Sequence, residues 1–130
     1  MNSAKALDVW VVDDDASIRW VLERALKQAG LETRAFDQAD AALAALRQGA
    51  PDVLVTDIRM PGRSGLEMLE EIRSKRPRLP VIVMTAHSDL ESAVAAYKGG
   101  AFEYLPKPFD IDQAVELVRR AAAQGQRSET

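Results

Sequence analysis

Strand-like and helix-like patterns alternate five times along this chain, and that alternation limits the possible folds more than any other feature. Residues 7–12 form a mostly apolar run that stops at three aspartates. Ile18, Val21, Leu22, Ala25, Leu26 and Ala29 then recur at helical spacing, with Gly30 placed to end the helix. Residues 32–36 read as a weak second strand. Ala39, Ala42, Leu43 and Leu46 mark a second helix, stopped by Gly49 and Pro51. Residues 52–56 form the third strand and run into Asp57. A loop with Pro61 and Gly62 follows, then a third helix on Leu66, Leu69 and Ile72, with Ser64 as its cap. Residues 80–84 are the most continuously apolar strand. Ser88 and Glu91 have capping-box spacing, and Leu90, Ala93, Val94 and Tyr97 predict the buried stripe of a fourth helix. Residues 101–105 make a short fifth strand. Asp110 caps a last helix whose inward face is Ile111, Ala114, Val115, Val118 and Ala121.

Each crossover helix returns the chain to the same edge of a sheet, so the strands are expected to be parallel. Their nearly unbroken apolar character fits a sheet covered on both faces. The expected fold class is α/β, a doubly wound five-stranded parallel sheet. One domain over residues 1–123 accounts for the pattern; residues 124–130 are polar and read as the start of a linker or a frayed end.

Composition removes several function classes. The 130 residues contain no cysteine and one histidine, His87, which excludes thiolate chemistry and multi-histidine metal sites. A net charge of −3 argues against direct nucleic-acid contact. The longest apolar runs are too short to span a bilayer, and the first eight residues lack a secretory core. A soluble intracellular domain is expected.

Ligands of open parallel sheets bind beyond the carboxyl ends of the strands. Asp13, Asp14 and Asp15 follow strand one, Asp57 strand three, Thr85 with His87 strand four, and Lys107, between Pro106 and Pro108, strand five. Two carboxylates about 4 Å apart repel by about 4 kcal/mol at an effective dielectric near 20. Three would not all stay ionised without a counter-charge. All-oxygen ligation by hard donors points to magnesium, with calcium or manganese less suited. Asp13, Asp14 and Asp57 are balanced by one divalent ion and Lys107. Singly, each residue has a plainer reading: Asp15 as a helix cap, Asp13 and Asp14 as solvated loop acids, Asp57 as a turn former, Thr85 as a loop hydroxyl, Lys107 as a turn lysine, His87 as a solvated side chain. Their joint placement at strand ends of one sheet favours a site.

Four separated segments, VVDDD, DIRMPGRSG, MTAHS and YLPKPF, resemble the signatures of response-regulator receiver domains over residues 7–122. The wording VWVVDDDASIRWVLERAL, MTAHSDLESAV and GAFEYLPKPFDID is similar to the receivers of nitrogen-regulatory transcription activators. The resemblance implies a flavodoxin-like fold of strand order 2-1-3-4-5. It implies that Asp57 accepts a phosphoryl group from a sensor histidine kinase. Asp14 would hold Mg2+ directly, Asp13 mainly through water, with Asp57 and the backbone carbonyl of Arg59 completing the protein ligands. The run of three aspartates leaves one residue of register open, so Asp15 could share the acidic role. Thr85 and Lys107 would contact the phosphoryl oxygens, Tyr104 would change rotamer, and the Lys107–Pro108 bond would be cis. Ser64 stands where many relatives have aspartate; Arg59 and His87 occupy positions that tune hydrolysis of the acyl phosphate. The implied setting is a bacterial cytoplasm, with an output ATPase domain acting with sigma-54 polymerase in the full-length protein and a dimer that would depend on phosphorylation.

Rival readings make different demands. A phosphohydrolase of the haloacid-dehalogenase type needs a second acid where Arg59 stands, and a cap domain. A flavodoxin needs a phosphate loop where three aspartates stand. A receiver used only as a scaffold would not need this complete set of chemical residues.

Overall fold

The computed structural model describes residues 7–86 and 89–128. Five strands and five helices alternate: β1 (Asp8–Val12), α1 (Ala16–Gln28), β2 (Glu32–Phe36), α2 (Ala39–Leu46), β3 (Val53–Asp57), α3 (Gly65–Lys75), β4 (Val81–Ala86), α4 (Leu90–Lys98), β5 (Glu103–Lys107) and α5 (Ile111–Ser128). The strands form one parallel sheet in the order β2-β1-β3-β4-β5.

Successive strand residues point to opposite faces, so each strand feeds two cores. Val9, Val11, Val53, Val55, Ile82 and Met84 pack with Leu22 and Leu26 of α1 and with Ala114, Leu117, Val118 and Ala121 of α5. Trp10, Val12, Leu54, Val81 and Val83 pack with Leu43 and Leu46 of α2, Met68, Leu69 and Ile72 of α3 and Ala96 of α4. This two-sided burial is why the strands read as continuous apolar runs.

Side chains of the expected kind begin α1, α3 and α5, whereas α2 begins without a side-chain cap bond. Asp15 accepts from the Ser17 N–H at 2.8 Å. Ser64 accepts from the Glu67 N–H at 3.1 Å while Glu67 accepts from the Ser64 N–H at 2.8 Å, a reciprocal capping box. Asp110 accepts from the Asp112 N–H at 2.8 Å. Gly30 ends α1 with φ +86°, a conformation that side chains resist.

Several boundaries move. β1 starts at Asp8 rather than residue 7. β3 includes Asp57, β4 runs on through Thr85 to Ala86, and β5 is displaced to Glu103–Lys107, so that Pro106 and Lys107 are strand residues. Pro106 fits there because β5 is an edge strand. α5 continues to Ser128, past the residue at which the sequence pattern closes. Its buried face is Ala114, Leu117, Val118, Ala121 and Ala122, whereas Ile111 and Val115 are only half-buried.

The stripe predicted for α4 is corrected. Ala93 and Ala96 are buried, while Leu90, Val94 and Tyr97 are 68%, 44% and 43% exposed. The inward face of α4 is made of small side chains, and its large apolar residues point outward. Its cap is also different: Asp89 accepts from the Ser92 N–H at 3.2 Å. Ser88 and His87 lie outside the described residues. No helix among the described residues is long and apolar enough to cross a membrane.

Candidate functional site

The carboxyl edge of the sheet gathers the predicted residues. Asp13 follows β1, Asp57 ends β3, Thr85 is the penultimate residue of β4 and Lys107 ends β5. Asp57 pairs in register with Met84, and Ala86 with Lys107, so β4 and β5 run two residues past the end of β3.

Asp13 is fully buried, and burying an unpaired carboxylate is costly. Each of its polar groups has a partner. Its N–H donates to the Phe36 carbonyl at 3.1 Å, and its Oδ1 accepts from the Asp15 N–H at 2.9 Å. Its Oδ2 accepts from Lys107 Nζ at 2.8 Å, and its carbonyl accepts from Arg19 Nη1 at 2.7 Å.

Lys107 Nζ also lies 3.3 Å from Asp57 Oδ1. Burial raises the Asp57 carboxyl above its usual range and the charge of Asp13 adds to this; Lys107 only partly offsets them. Burial works against the Lys107 ammonium, yet the two aspartates outweigh it and its pKa lies above the usual lysine value. One cation therefore serves two carboxylates, and a third is close by. Asp13, Asp14 and Asp57 bring one oxygen each to within 4.8 Å of one another. At that spacing each pair repels by about 3 kcal/mol at an effective dielectric near 20. Donor chemistry and uncompensated charge together fit a hard divalent cation. Asp15 is outside this cluster, since its carboxylate is used to cap α1.

The backbone at Asp57 is tightly confined. The Thr56 hydroxyl donates to the Asp57 carbonyl at 2.9 Å, and the Gly65 N–H donates to the Ile58 carbonyl at 2.8 Å. A Cβ at Gly65 would stand 2.1 Å from that Asp57 carbonyl oxygen, so only glycine fits.

Thr85 is buried, in register with Pro106, while Tyr104 is in register with Val83. Strand alternation thus places Thr85 and Tyr104 on one sheet face as diagonal neighbours. The Tyr104 ring meets Tyr97 edge-on, with centroids 5.6 Å apart. The Arg59 side chain turns away from the acids and pairs with Asp89, the cap of α4, at 3.1 Å. The Lys107–Pro108 bond is cis.

Two residues of this region escaped the reading of the sequence. Gly65 stood inside a quoted motif without a role. Arg19 had no role at all, although an arginine at the start of a helix opposes the helix dipole and so asks for a partner.

The family model of the response regulator receiver domain matches residues 9–119. The chain is 65% identical over 113 residues to the DNA-binding transcriptional regulator NtrC of Salmonella typhimurium and 64% identical over 113 residues to that of Escherichia coli K12, covering 87% of this chain and 24% of each relative. It thus spans about a quarter of the length of these curated relatives. Among solved structures, it is similar to the BeF3-activated receiver domain of NtrC, with TM-score 0.82 and 60% identity over 95% of this chain and 99% of that one. The apo form of that receiver gives TM-score 0.84 and 62% identity over 92% and 97%. NtrX from Brucella abortus gives TM-score 0.91 and 36% identity over 96% of this chain and 29% of that one.

Proposed function

This chain belongs to the response regulator receiver domain family, and we propose that it works as a phosphorylation switch with Asp57 as phosphoacceptor. The carrying observation is the Asp13–Lys107–Asp57 bridge at the carboxyl edge of the sheet. The phosphohydrolase alternative has no support: the position of its second acid is Arg59, which is committed to Asp89.

An Asp57 carboxylate oxygen forms a bond to phosphorus as the P–N bond of a kinase phosphohistidine breaks. The electron pair returns to the imidazole nitrogen. Positioning and charge neutralisation are the main requirements of such a transfer. Asp13, Asp14, Asp57 and the Arg59 carbonyl would hold Mg2+, which when bound supplies positive charge to the transferring oxygens. Lys107 supplies a second positive charge from the carboxyl end of β5. The aspartyl phosphate is an acyl phosphate, so water cleaves it, regenerating Asp57 and releasing inorganic phosphate. The domain thereby catalyses its own transfer and its own reset.

The phosphoryl group adds charge and acceptor oxygens beside Thr85, drawing its hydroxyl toward them. Tyr104, diagonal to Thr85, then leaves Tyr97 and turns inward, and α4 shifts. That is one local event biasing a two-state element. By likeness to NtrC, we place the domain in a bacterial cytoplasm under a sensor histidine kinase. It would regulate an output ATPase domain of a sigma-54-dependent activator. Dimerisation through the α4–β5–α5 face would accompany phosphorylation.

Incubation with acetyl phosphate and magnesium followed by mass spectrometry tests the assignment. One phosphoryl group on the peptide containing Asp57, absent from Asp57→Asn, is the expected result. Labelling of that peptide in Asp57→Asn overturns it.

A further inference from the structure

We infer that Arg19 is a positioning residue for the acidic site, setting its preference for a small, geometrically demanding cation; this rests on the receiver reading above. Arg19 lies at the start of α1, where a cation opposes the helix dipole. It is half-buried and, among the described residues, makes no ion pair. Its guanidinium instead donates to the Asp13 carbonyl at 2.7 Å, the short end for a charge-assisted bond.

That carbonyl belongs to the peptide joining Asp13 to Asp14. The Asp13 side chain is already held by Lys107 and the Asp15 N–H, and its own N–H by Phe36. Asp14 has no such restraint: it is exposed, and the peptide before it is the lever that aims its carboxylate at Asp13 and Asp57. Arg19 holds that peptide from the helix side, and Asp15, the residue after Asp14, is fixed by its own N–H bond to Asp13 Oδ1 and by its cap bond from the Ser17 N–H. The planar guanidinium fixes direction in a way a lysine ammonium does not.

Mg2+ demands near-ideal octahedral oxygen geometry, whereas Ca2+ accepts irregular and more numerous ligands. Loosening the Asp13–Asp14 peptide therefore penalises magnesium more than calcium. Removing the positive charge alone acts oppositely, since it strengthens both cations alike. The ratio of the two affinities separates these effects.

The test is an amide NMR titration of the parent, Arg19→Gln and Arg19→Lys with MgCl2 and CaCl2, following Asp13 to Ala16. Arg19→Gln is expected to weaken magnesium about tenfold relative to calcium, the low end for groups that orient metal ligands. Arg19→Lys, which keeps the charge but loses the planar fork, is expected to recover part of that ratio. An unchanged ratio in both variants, or a parallel gain for both ions in Arg19→Gln alone, overturns the inference. Should Arg19→Gln not fold, the Arg19→Lys ratio decides by itself. A parent that takes up neither ion would overturn the receiver reading instead.

Discussion

Lys107 Nζ sits between Asp13 and Asp57, 2.8 Å from the buried Oδ2 of one and 3.3 Å from Oδ1 of the other. The two acids are far apart in sequence and come from different strands. This one ammonium therefore ties the ends of β1, β3 and β5 together and is the internal counter-ion of the site.

Replacing it leaves a fully buried carboxylate without a cation. Lys107→Met is expected to lose about 3 kcal/mol of stability, the scale for breaking a buried pair from one side. Millimolar MgCl2 should return most of it, since binding to the folded state alone stabilises by mass action. The pKa of Lys107 is raised on folding above its ordinary 10.5. Its contribution is thus full below that value and lost as pH rises through the raised one. Urea unfolding should show the gap between parent and variant closing in that alkaline range. A gap insensitive to both magnesium and alkali would contradict the counter-ion role.

Asp57 titrates in the opposite sense to a stabilising acid. Its folded pKa is raised above the ordinary 3.8. The folded state therefore holds this proton more tightly, and stability falls as pH rises from 3.8 through the raised value. In EDTA at neutral pH, Asp57→Asn should be more stable than the parent. The difference should shrink as pH is lowered through that window, and magnesium should reverse it by stabilising only the parent. Thermal unfolding of both proteins across the acid range decides; a less stable Asn variant in EDTA at neutral pH would refute the electrostatic account.

Gly65 carries a steric constraint. A methyl there would collide with the Asp57 carbonyl oxygen at 2.1 Å, and backbone, unlike a flexible side-chain end, moves at high cost. Gly65→Ala is expected to cost about 3 kcal/mol, the upper range for overpacking, and to slow labelling by acetyl phosphate. Gly49→Ala is the control, because nothing lies within 4 Å of its added Cβ. It should change stability by about 0.5 kcal/mol or less. Equal melting temperatures for the two variants would remove the claim.

All ten elements and the parallel sheet were legible because burial on both faces and helical periodicity write themselves into the chain, whereas the strand order 2-1-3-4-5 was implied only by the resemblance to receiver domains. That Asp13, Asp14, Asp57, Thr85 and Lys107 lie at one edge of the sheet was legible because each follows or ends a strand of a parallel sheet. Arg19 was not, because its partner is a backbone carbonyl, which leaves no trace in side-chain types. Nor was Gly65's role: it follows from the distance to a carbonyl that only folding brings near. The Asp89 cap was missed because Ser88, one residue earlier, has the capping-box spacing to Glu91, while Asp89 is followed three residues on by Ser92 and has none.

The orientation of α4 is the sharpest disagreement between pattern and structure. Periodicity favoured Leu90, Val94 and Tyr97 as core, yet they are exposed, and Ala93 and Ala96 face the sheet. If so, Leu90→Ser and Val94→Ser should each alter stability by about 0.5 kcal/mol or less, as surface substitutions do, and leave acetyl phosphate labelling unchanged. Ala96→Asp, at 1% exposure, should cost about 3 kcal/mol or more because a charge is buried without a partner. The reverse ranking in urea unfolding would turn the helix over. With the observed ranking, Leu90 and Val94 point outward, and Tyr97 reaches only the ring of Tyr104 at the edge strand β5. That is the arrangement a helix needs if its displacement is to be felt by another surface and not absorbed within its own core.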